Sequence, residues 1–473
     1  MVFSSHLFVF WFLPLVLLFY YGLPRRARHL MLTLMSYVFY GWANPAFVYL
    51  MLVSTLIDYI TGLDIVRHGP TEPGGPRTRR QRIALIVSVC ANLGLLGFFK
   101  YFNFAVESYN ELAALLGFTS AAWEQTLRVV LPLGISFYTF QSMSYTIDVY
   151  RGEARPVSNL VDFACYVSMF PQLVAGPIVR FSEVADQLRS RTHTLEKFAR
   201  GVSMFSLGMA KKVLVANPCG AVADAAFAAD SPAALDAWFG VVAYAFQIYF
   251  DFSGYSDMAV GLGLMLGFMF AKNFDSPYRA ESITDFWRRW HISLSTWLRD
   301  YLYLPLGGNR LGVRRTYVNL LLVMLLGGLW HGAAWNFVLW GAFHGALLAA
   351  ERAGLGYGRL PRPLKVTATF VLVTLGWVLF RARDLPHAVE YYRSLFGLEG
   401  PGPGAPLLGG ILYQPYSLLC FALAAGIVWT MPQAWDWTRR LTWVRAAVCC
   451  GLLLLALIAM ETQGYNPFIY FIF

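Results

Sequence analysis

The sequence predicts an all-α fold, a polytopic transmembrane bundle of roughly 10–12 spans with re-entrant or interfacial helices that enclose a central funnel or tunnel. Of its 473 residues, 57% are hydrophobic and only 14% are charged, whereas soluble globular chains carry about 25% charge. Apolar runs long enough to cross a bilayer recur along the chain. Several runs also contain prolines or polar side chains, which are tolerated at membrane depth only where they face protein or a wet cavity.

The first run, residues 1–29, is apolar almost from its start and has no basic segment before the apolar stretch. We expect it to be a retained first span and not a cleaved signal peptide. Its arginines, Arg25, Arg26 and Arg28, follow the apolar stretch, which predicts an outside N-terminus and a cytoplasmic first loop. The basic, Pro/Gly-rich segment 67–82 fits this orientation, because two crossings separate the two loops.

Further apolar runs predict the remaining helices. They lie near residues 30–66, 83–105, 129–147, 162–179, 201–222, 236–270, 317–350, 364–381, 411–431 and 443–461. Residues 385–410 end in a Gly/Pro-rich stretch and are expected to form an exposed loop. The sequence shows no internal repeat and no soluble appendage, so we expect a single integral-membrane domain over residues 1–473.

Charge and cysteine content narrow the function. The net charge of +10 comes largely from arginines between apolar runs, as in cytoplasmic loops, so we expect no nucleic-acid partner. The six cysteines form no CxxC or other metal spacing and are expected to be small buried hydrophobes, with no metal site. The sequence contains no GxSxG, P-loop or nucleotide-type GxGxxG motif, so nucleotide hydrolysis is not expected.

Residues 282–310 mix tryptophan, tyrosine and arginine in the manner of an interfacial or re-entrant amphipathic helix. Ser282 and Asp285 have the spacing of a helix cap. Arg288 and Arg289 fit two roles, holding substrate phosphates or attracting anionic headgroups. His291 follows them and is a candidate to orient a substrate, bind an anionic carrier or assist another catalytic group.

The stretch GGLWHGAAWNFVLWGAFHG, residues 327–345, contains two further histidines. On one continuous helix His331 and His344 would lie about 20 Å apart and point roughly 140° apart, so they could not share a metal, and at most one of them belongs to a reaction centre. His331 has the small neighbours Gly327, Gly328 and Gly332, which leave room for a substrate or another backbone to approach. Trp330 and Trp335 are expected to wall a narrow, dry cavity around it.

A neutral imidazole in such a cavity can take a proton from a hydroxyl, which makes His331 a candidate general base. A purely structural role for this histidine stays open. His344 is expected to be a packing or hydrogen-bonding residue. Asp251 and Asp257 either line a polar path or form hydrogen bonds between helices.

These motifs resemble a known family. The segment DFWRRWHISLSTWLRDYLYLPLGGNR, followed by the 327–345 stretch, resembles the paired histidine motifs of membrane-bound O-acyltransferases. The stretches LPLGISFYTFQSMSYTIDVYRG, FPQLVAGPIVR, QIYFDFSGYSDMAVGLGLMLGF, NFDSPYRA and NPFIYFIF extend the likeness over nearly the whole chain. The start MVFSS and residues 150–184 resemble the bacterial alginate O-acetylation branch more than the teichoic-acid D-alanyl branch.

The resemblance implies a helical bundle with a funnel on each side of a thin central layer. It implies that His331 is the near-invariant histidine and His291 the second functional histidine. The remaining candidates for the substrate path or its support are Trp330, Trp335, Asn336, Arg288, Arg289, Asp251 and Asp257. It further implies a multi-pass protein of the bacterial inner membrane, with no tightly bound cofactor and no metal. An acyl thioester, acetyl-CoA or another, would be used from the cytoplasm. The acyl group would leave toward a polysaccharide such as alginate, with a periplasmic O-acetyltransferase partner completing delivery.

Three other functions stay open at this point. The first is D-alanyl or other acyl transfer to a different cell-envelope polymer. The second is a transporter or channel with no covalent step, because broken polar helices also occur in transporters. The third is a membrane scaffold that recruits a secreted transferase. Transfer of labelled acetyl to an acceptor by the purified protein separates acetyl transfer from a transporter with no covalent step.

Overall fold

The computed structural model describes residues 1–118, 123 and 127–467, and the secondary structure of these residues is helical throughout. Most of the NPFIYFIF motif lies outside the described residues. The chain divides into two compact units, residues 1–193 with 266–270, and residues 194–265 with 271–473. The prediction of a single domain over 1–473 stays a prediction.

The first unit contains eight α-helices among its described residues. They are α1 (Leu13–Gly22), α2 (Arg28–Gly41), α3 (Ala46–Arg67), α4 (Arg79–Leu115), α5 (Ile135–Arg151), α6 (Leu160–Ser168), α7 (Phe170–Leu173) and α8 (Phe181–Arg189). A π-helical segment, Leu7–Phe12, leads into α1.

The second unit contains the other helices and all the candidate site residues. They are α9 (Leu195–Ala210), α10 (Asn217–Ala228), α11 (Ala234–Met265), α12 (Ile283–Arg289), α13 (Ile292–Leu298), α14 (Val313–His331), α15 (Trp335–Arg352), α16 (Arg362–Arg381), α17 (Leu385–Leu395), α18 (Ala405–Leu412), α19 (Pro415–Thr430), α20 (Ala434–Trp437) and α21 (Trp443–Thr462). Two π-helical segments, Lys211–Ala216 and Arg299–Tyr303, follow α9 and α13.

Four described helices, α3, α4, α16 and α21, are long and apolar enough to cross a membrane by length and hydropathy. The pair α18–α19, bent by 66°, gives a fifth if it forms one span. These helices confirm the predicted all-α class with several apolar spans, whereas the count of 10–12 stays a prediction.

Buried polar side chains in the first unit satisfy each other across α3, α4 and α5. Ser88 Oγ donates to Asp58 Oδ1 at 2.6 Å, and Asn92 Nδ2 lies 2.9 Å from both Asp58 carboxylate oxygens. Ser88 Oγ also lies 3.0 Å from Thr146 Oγ1 on α5. These four polar side chains therefore face protein, as the physics of a membrane interior requires.

In the second unit α9 and α11 cross with their backbones in contact. A Cβ atom on Gly208 would lie 2.4 Å from the carbonyl oxygen of Gly254, and one on Gly261 would lie 2.5 Å from that of Gly201. Only glycine permits this approach, and small residues at such crossings are typical of membrane helix pairs.

The predicted loop at 385–410 is wrong over much of its length, because residues 385–395 form α17 and α18 begins at Ala405. The Asp384 side chain caps α17 by accepting the His387 backbone N–H at 2.8 Å. Tyr391 and Leu395 are buried, four residues apart on one face. The Gly/Pro-rich stretch that suggested a loop occupies only the connection between the two helices.

The apolar run 317–350 contains two helices. α14 ends at His331, and residues 332–334 connect it to α15. A Cβ on Gly328 would lie 2.2 Å from the Phe337 carbonyl oxygen, and one on Gly341 would lie 2.3 Å from that of Met324. These contacts pair early residues of one helix with late residues of the other, so α14 and α15 form an antiparallel hairpin with His331 at its tip.

We expect Gly208→Ala to destabilise the protein by about 1–3 kcal/mol, since its methyl group overlaps the Gly254 carbonyl. Gly426→Ala on α19 is the matched control, because a Cβ there meets nothing within 4 Å. The measurement is the midpoint of thermal unfolding in detergent. Equal midpoints for the two variants would show that the crossing tolerates a wider separation.

Candidate active site

The tip of the α14–α15 hairpin places His331 on a pocket of about 260 Å³. Most of the lining is apolar, and its aliphatic part comes from α13, α14 and α15: Leu294, Leu298, Leu320, Val323, Met324 and Leu348. Three polar side chains also line it, Ser295, Arg299 and Tyr303. The His331 side chain is partly exposed. The structure therefore brings the candidate base to the surface of a pocket that is mostly apolar and has a few polar side chains in its lining.

Aromatic rings surround the His331 imidazole. The centroids of Trp330, Trp340 and Phe380 lie 5.0, 5.3 and 5.3 Å from its own, each ring steeply inclined to it. Edge-to-face contacts of this kind restrict the orientation of the ring and involve no ion pair. Trp330 contacts the His331 ring but is not among the residues that line the pocket, so its predicted role as a cavity wall stays a prediction.

His291 lies in the turn between α12 and α13. Its φ is +44°, a left-handed conformation that is costly for a residue with a Cβ. The turn is held by the Ile292 N–H, which donates to the Asn273 carbonyl at 2.9 Å. The imidazole is fully buried, and its centroid lies 6.4 Å from that of His331. Within the described residues neither of its ring nitrogens has a hydrogen-bond partner.

Two histidines that are 40 residues apart in sequence therefore share one site. Both imidazoles lie among aromatic rings, and a neutral imidazole carries one unprotonated nitrogen. Such a nitrogen can accept a proton from a hydroxyl, and the N–H of the same ring can donate a hydrogen bond. The arrangement is suited to proton transfer.

The arginines next to His291 do not line the pocket. Arg289 forms an ion pair with Asp285, with 2.8 Å between Nε and Oδ1, and Arg288 is exposed. Arg299, which no sequence motif indicated as a site residue, lines the pocket and contacts Asp300 through two hydrogen bonds of 2.7 and 3.1 Å. The predicted Ser282 cap is present, since its Oγ accepts the Asp285 backbone N–H at 3.1 Å.

Trp335 and Asn336 lie just past the hairpin tip, away from the pocket lining. The Trp335 side chain is 49% exposed, so it does not wall the pocket as expected. The reason is the interruption of the helix at residues 332–334, after which the first residue of α15 points outward. Asn336 is buried, and its Nδ2 donates to the carbonyl oxygens of Leu379 and Ala382 at 3.2 and 2.8 Å. It therefore ties α15 to the end of α16.

Asp251 and Asp257 on α11 each pair with a lysine of the π-helical segment Lys211–Ala216. Lys211 Nζ lies 2.6 Å from Asp257 Oδ2, and Lys212 Nζ lies 2.9 Å from Asp251 Oδ1. Neither acid lines the pocket. The geometry favours the role between helices over the role in a polar path. The sequence feature that indicates this role is the pair Lys211 and Lys212 inside an apolar run.

His344 is fully buried between Trp287 and Trp340, whose ring centroids lie 5.2 and 5.0 Å from its own. Neither ring nitrogen has a hydrogen-bond partner in the described part of the chain. The break after His331 means that the separation expected on one helix does not apply, because both histidines contact Trp340. His344 is not among the residues that line the pocket.

No group of three or more His, Cys, Asp or Glu side chains among residues 1–118, 123 and 127–467 is arranged to hold a metal ion. The polar chemistry available at the pocket lining is that of the His331 imidazole, the Trp287 and Trp340 indoles, the Ser295 and Tyr303 hydroxyls and the Arg299 guanidinium. His291 is fully buried and is not among the residues that line the pocket.

Comparison with known proteins identifies the family of this site. Residues 150–369, which include both histidines of the pair, match the sequence model of the MBOAT, or membrane-bound O-acyltransferase, family. The chain is 52% identical to a protein named probable alginate O-acetylase AlgI from Pseudomonas aeruginosa, over 84% of this chain and 75% of that protein. The chain belongs to the membrane-bound O-acyltransferase family.

Two further relatives agree with this assignment. A probable alginate O-acetylase AlgI from Pseudomonas putida is 44% identical over 100% of both chains. A peptidoglycan O-acetyltransferase from Helicobacter pylori is 38% identical over 85% of this chain and 80% of that protein. The predicted resemblance is confirmed: this is a multi-pass membrane O-acyltransferase of the alginate O-acetylase branch.

Breaking the Lys212–Asp251 ion pair should strongly destabilise this O-acyltransferase. Lys212→Met leaves a buried carboxylate without its cation, a change that typically costs about 3–5 kcal/mol. Asp251→Asn in the same chain should recover part of the loss. Lys365→Met is the control, because Lys365 lies 3.8 Å from a carboxylate that is 41% exposed. Thermal unfolding in detergent measures all four chains, and a Lys212→Met variant as stable as the control would contradict this account.

His344→Phe should be neutral or stabilising and should leave acyl transfer intact. The site is aromatic, and the substitution removes two ring nitrogens for which the described residues provide no partner. Unfolding midpoint and transfer rate are measured together. A large loss of activity at unchanged stability would assign His344 to the chemistry and overturn the packing role.

Proposed function

We propose that this protein transfers acetyl groups from a cytoplasmic thioester, acetyl-CoA or another acyl thioester, for O-acetylation of an exported polysaccharide such as alginate. His331 is the general base of this proposal. The observation that carries it is the position of His331, at the tip of the α14–α15 hairpin and on a largely apolar pocket, with His291 one ring contact away.

The shape of the pocket supports a donor that reaches His331 from the cytoplasm. Its lining extends along α14 from Leu320 to His331, about 16 Å at the rise of an α-helix. α14 begins in a basic stretch with Arg310, Arg314 and Arg315, and basic loops lie on the cytoplasmic side. A long, thin thioester arm inserted from that side would bring its acyl group to the histidine.

The reaction needs one proton transfer in each direction. The acceptor oxygen attacks the thioester carbonyl carbon, and His331 takes the hydroxyl proton as the carbon–oxygen bond forms. The carbonyl electron pair moves onto its oxygen and then returns, breaking the carbon–sulfur bond. The thiolate leaves and takes the proton back from the imidazolium. Placement of both reactants and a base of this kind can supply much of the rate enhancement.

The relatives support the acceptor. Proteins named alginate O-acetylase match 84–100% of this chain, so an exported polysaccharide is the acceptor we propose. The peptidoglycan O-acetyltransferase of Helicobacter pylori makes a different envelope glycan the competing acceptor. We further propose that residues 1–473 act as one domain in the bacterial inner membrane. A periplasmic O-acetyltransferase partner would complete delivery.

His331→Ala should reduce transfer by about 10²–10⁴-fold, the usual contribution of a general base. The assay follows labelled acetyl from acetyl-CoA to acceptor with purified protein, and acetyl esters on exported polysaccharide in cells at matched protein level. His6→Ala is the control, since His6 is exposed in the other unit.

A His331→Ala variant that transfers acetyl at the wild-type rate would contradict the general-base assignment. Analysis of the esterified material separates the acceptors: esters on alginate support the proposal, and esters confined to peptidoglycan replace it. Uptake of an intact solute with no transfer of label would instead indicate a transporter.

A further inference from the structure

Two tryptophans of the pocket carry indole N–H groups that lack an acceptor. Trp287 on α12 and Trp340 on α15 both line the pocket with His331. Both Nε1 atoms are buried and have no hydrogen-bond partner among the residues the structure describes. The neighbouring Trp377 differs, because its Nε1 donates to the Tyr278 hydroxyl at 3.1 Å. Buried N–H groups in proteins are nearly always paired, so the two open donors require an explanation.

The two indoles are close to the candidate base. The Trp340 and His331 ring centroids lie 5.3 Å apart, with planes at 87°, and those of Trp287 and Trp340 lie 5.7 Å apart. A donor that stabilises an oxyanion lies about 3 Å from the oxygen that becomes charged, while the base is close to the attacking hydroxyl. Trp340 lies one ring contact from the candidate base, and Trp287 lies one ring contact from Trp340.

Two other polar groups of the pocket, Ser295 and Arg299, have partners within the protein. Ser295 Oγ donates to the Trp290 carbonyl oxygen at 3.3 Å, and the Arg299 guanidinium contacts the Asp300 carboxylate. The two indoles therefore stand out as buried donors that the protein itself leaves unused, in surroundings apolar enough to strengthen any hydrogen bond they make.

We propose that the indole N–H of Trp340, with that of Trp287, donates to the carbonyl oxygen of the acyl donor and stabilises the oxyanion formed when the acceptor hydroxyl attacks. This inference rests on the proposed function, since it takes a thioester as the donor and His331 as the base. It assigns the pocket its oxyanion donors from side chains, 53 residues apart in sequence, that no single motif contains.

The first experiment compares phenylalanine substitutions, which keep an aromatic ring and remove the N–H. Trp340→Phe should lower kcat by about 10²–10³-fold, the usual cost of one oxyanion donor, with little change in KM. Trp287→Phe should act in the same direction, and the double variant should lose more than either. Trp377→Phe is the matched control, because its N–H already has a partner in Tyr278. Equal kcat values for Trp340→Phe and Trp377→Phe would overturn the inference.

The second experiment needs no turnover. It measures the affinities of two stable analogues of acetyl-CoA, a ketone in which a methylene replaces sulfur and a thioether in which a methylene replaces the carbonyl. Wild-type protein should prefer the ketone by about tenfold, as expected for one net hydrogen bond to a buried carbonyl. The Trp287→Phe/Trp340→Phe variant should lose that preference, and Trp377→Phe should keep it. For each variant the two affinities are measured on the same preparation. A smaller fraction of folded protein therefore affects both affinities equally and cancels from their ratio.

The outcomes separate this inference from the function beneath it. A ketone preference that persists in the double variant overturns the indole assignment and leaves the thioester donor intact. Failure of both analogues to bind the wild-type protein overturns the thioester donor, and the indole assignment falls with it. Loss of transfer in His331→Ala together with full activity in the double indole variant keeps the base and rejects the oxyanion donors.

Discussion

The backbone contact between α14 and α15 is the constraint on which the site depends. Gly328 and Gly341 leave no space for a side chain between the two helices, so the hairpin closes tightly and turns within three residues. This turn makes His331 the last residue of one helix and sets Trp340, on the other helix, against its ring. A continuous helix through the same sequence would move these side chains apart, and the pocket would not form.

The second unit keeps its buried charges apart from its proton chemistry. The lysines of the π-helical segment neutralise Asp251 and Asp257, and none of these four residues lines the pocket. A buried ion pair is costly to desolvate and costly to break, which suits a role in fixing the position of α11. The pocket itself is lined by the His331 imidazole, two indoles and the Arg299 guanidinium, which pairs with Asp300. Hydrogen-bonding groups act strongly where water is scarce.

The sequence predicted the helical class, the membrane location and the two histidines of the pair, because each depends on local composition or on a motif a few residues long. It did not predict Trp287, Trp340 or Arg299, whose proximity to His331 arises from the packing of α12, α13 and α15 on α14. It placed Trp335 on the pocket, whereas that side chain is 49% exposed at the start of α15. The loop prediction at 385–410 was wrong because it extended the Gly/Pro-rich stretch over a neighbouring eleven-residue amphipathic helix. Alternatives for Asp251 could be weighed only once Lys212 was seen beside it.

The left-handed backbone at His291 has a consequence for how genetic variation at this codon is interpreted. Any replacement changes the ring chemistry, but a β-branched replacement also opposes the turn, so an inactive allele carries two superimposed causes. Asparagine and glycine tolerate this region of backbone space. These two alleles therefore report on the imidazole alone, and a mutational survey that omitted them would overstate the chemical importance of the position.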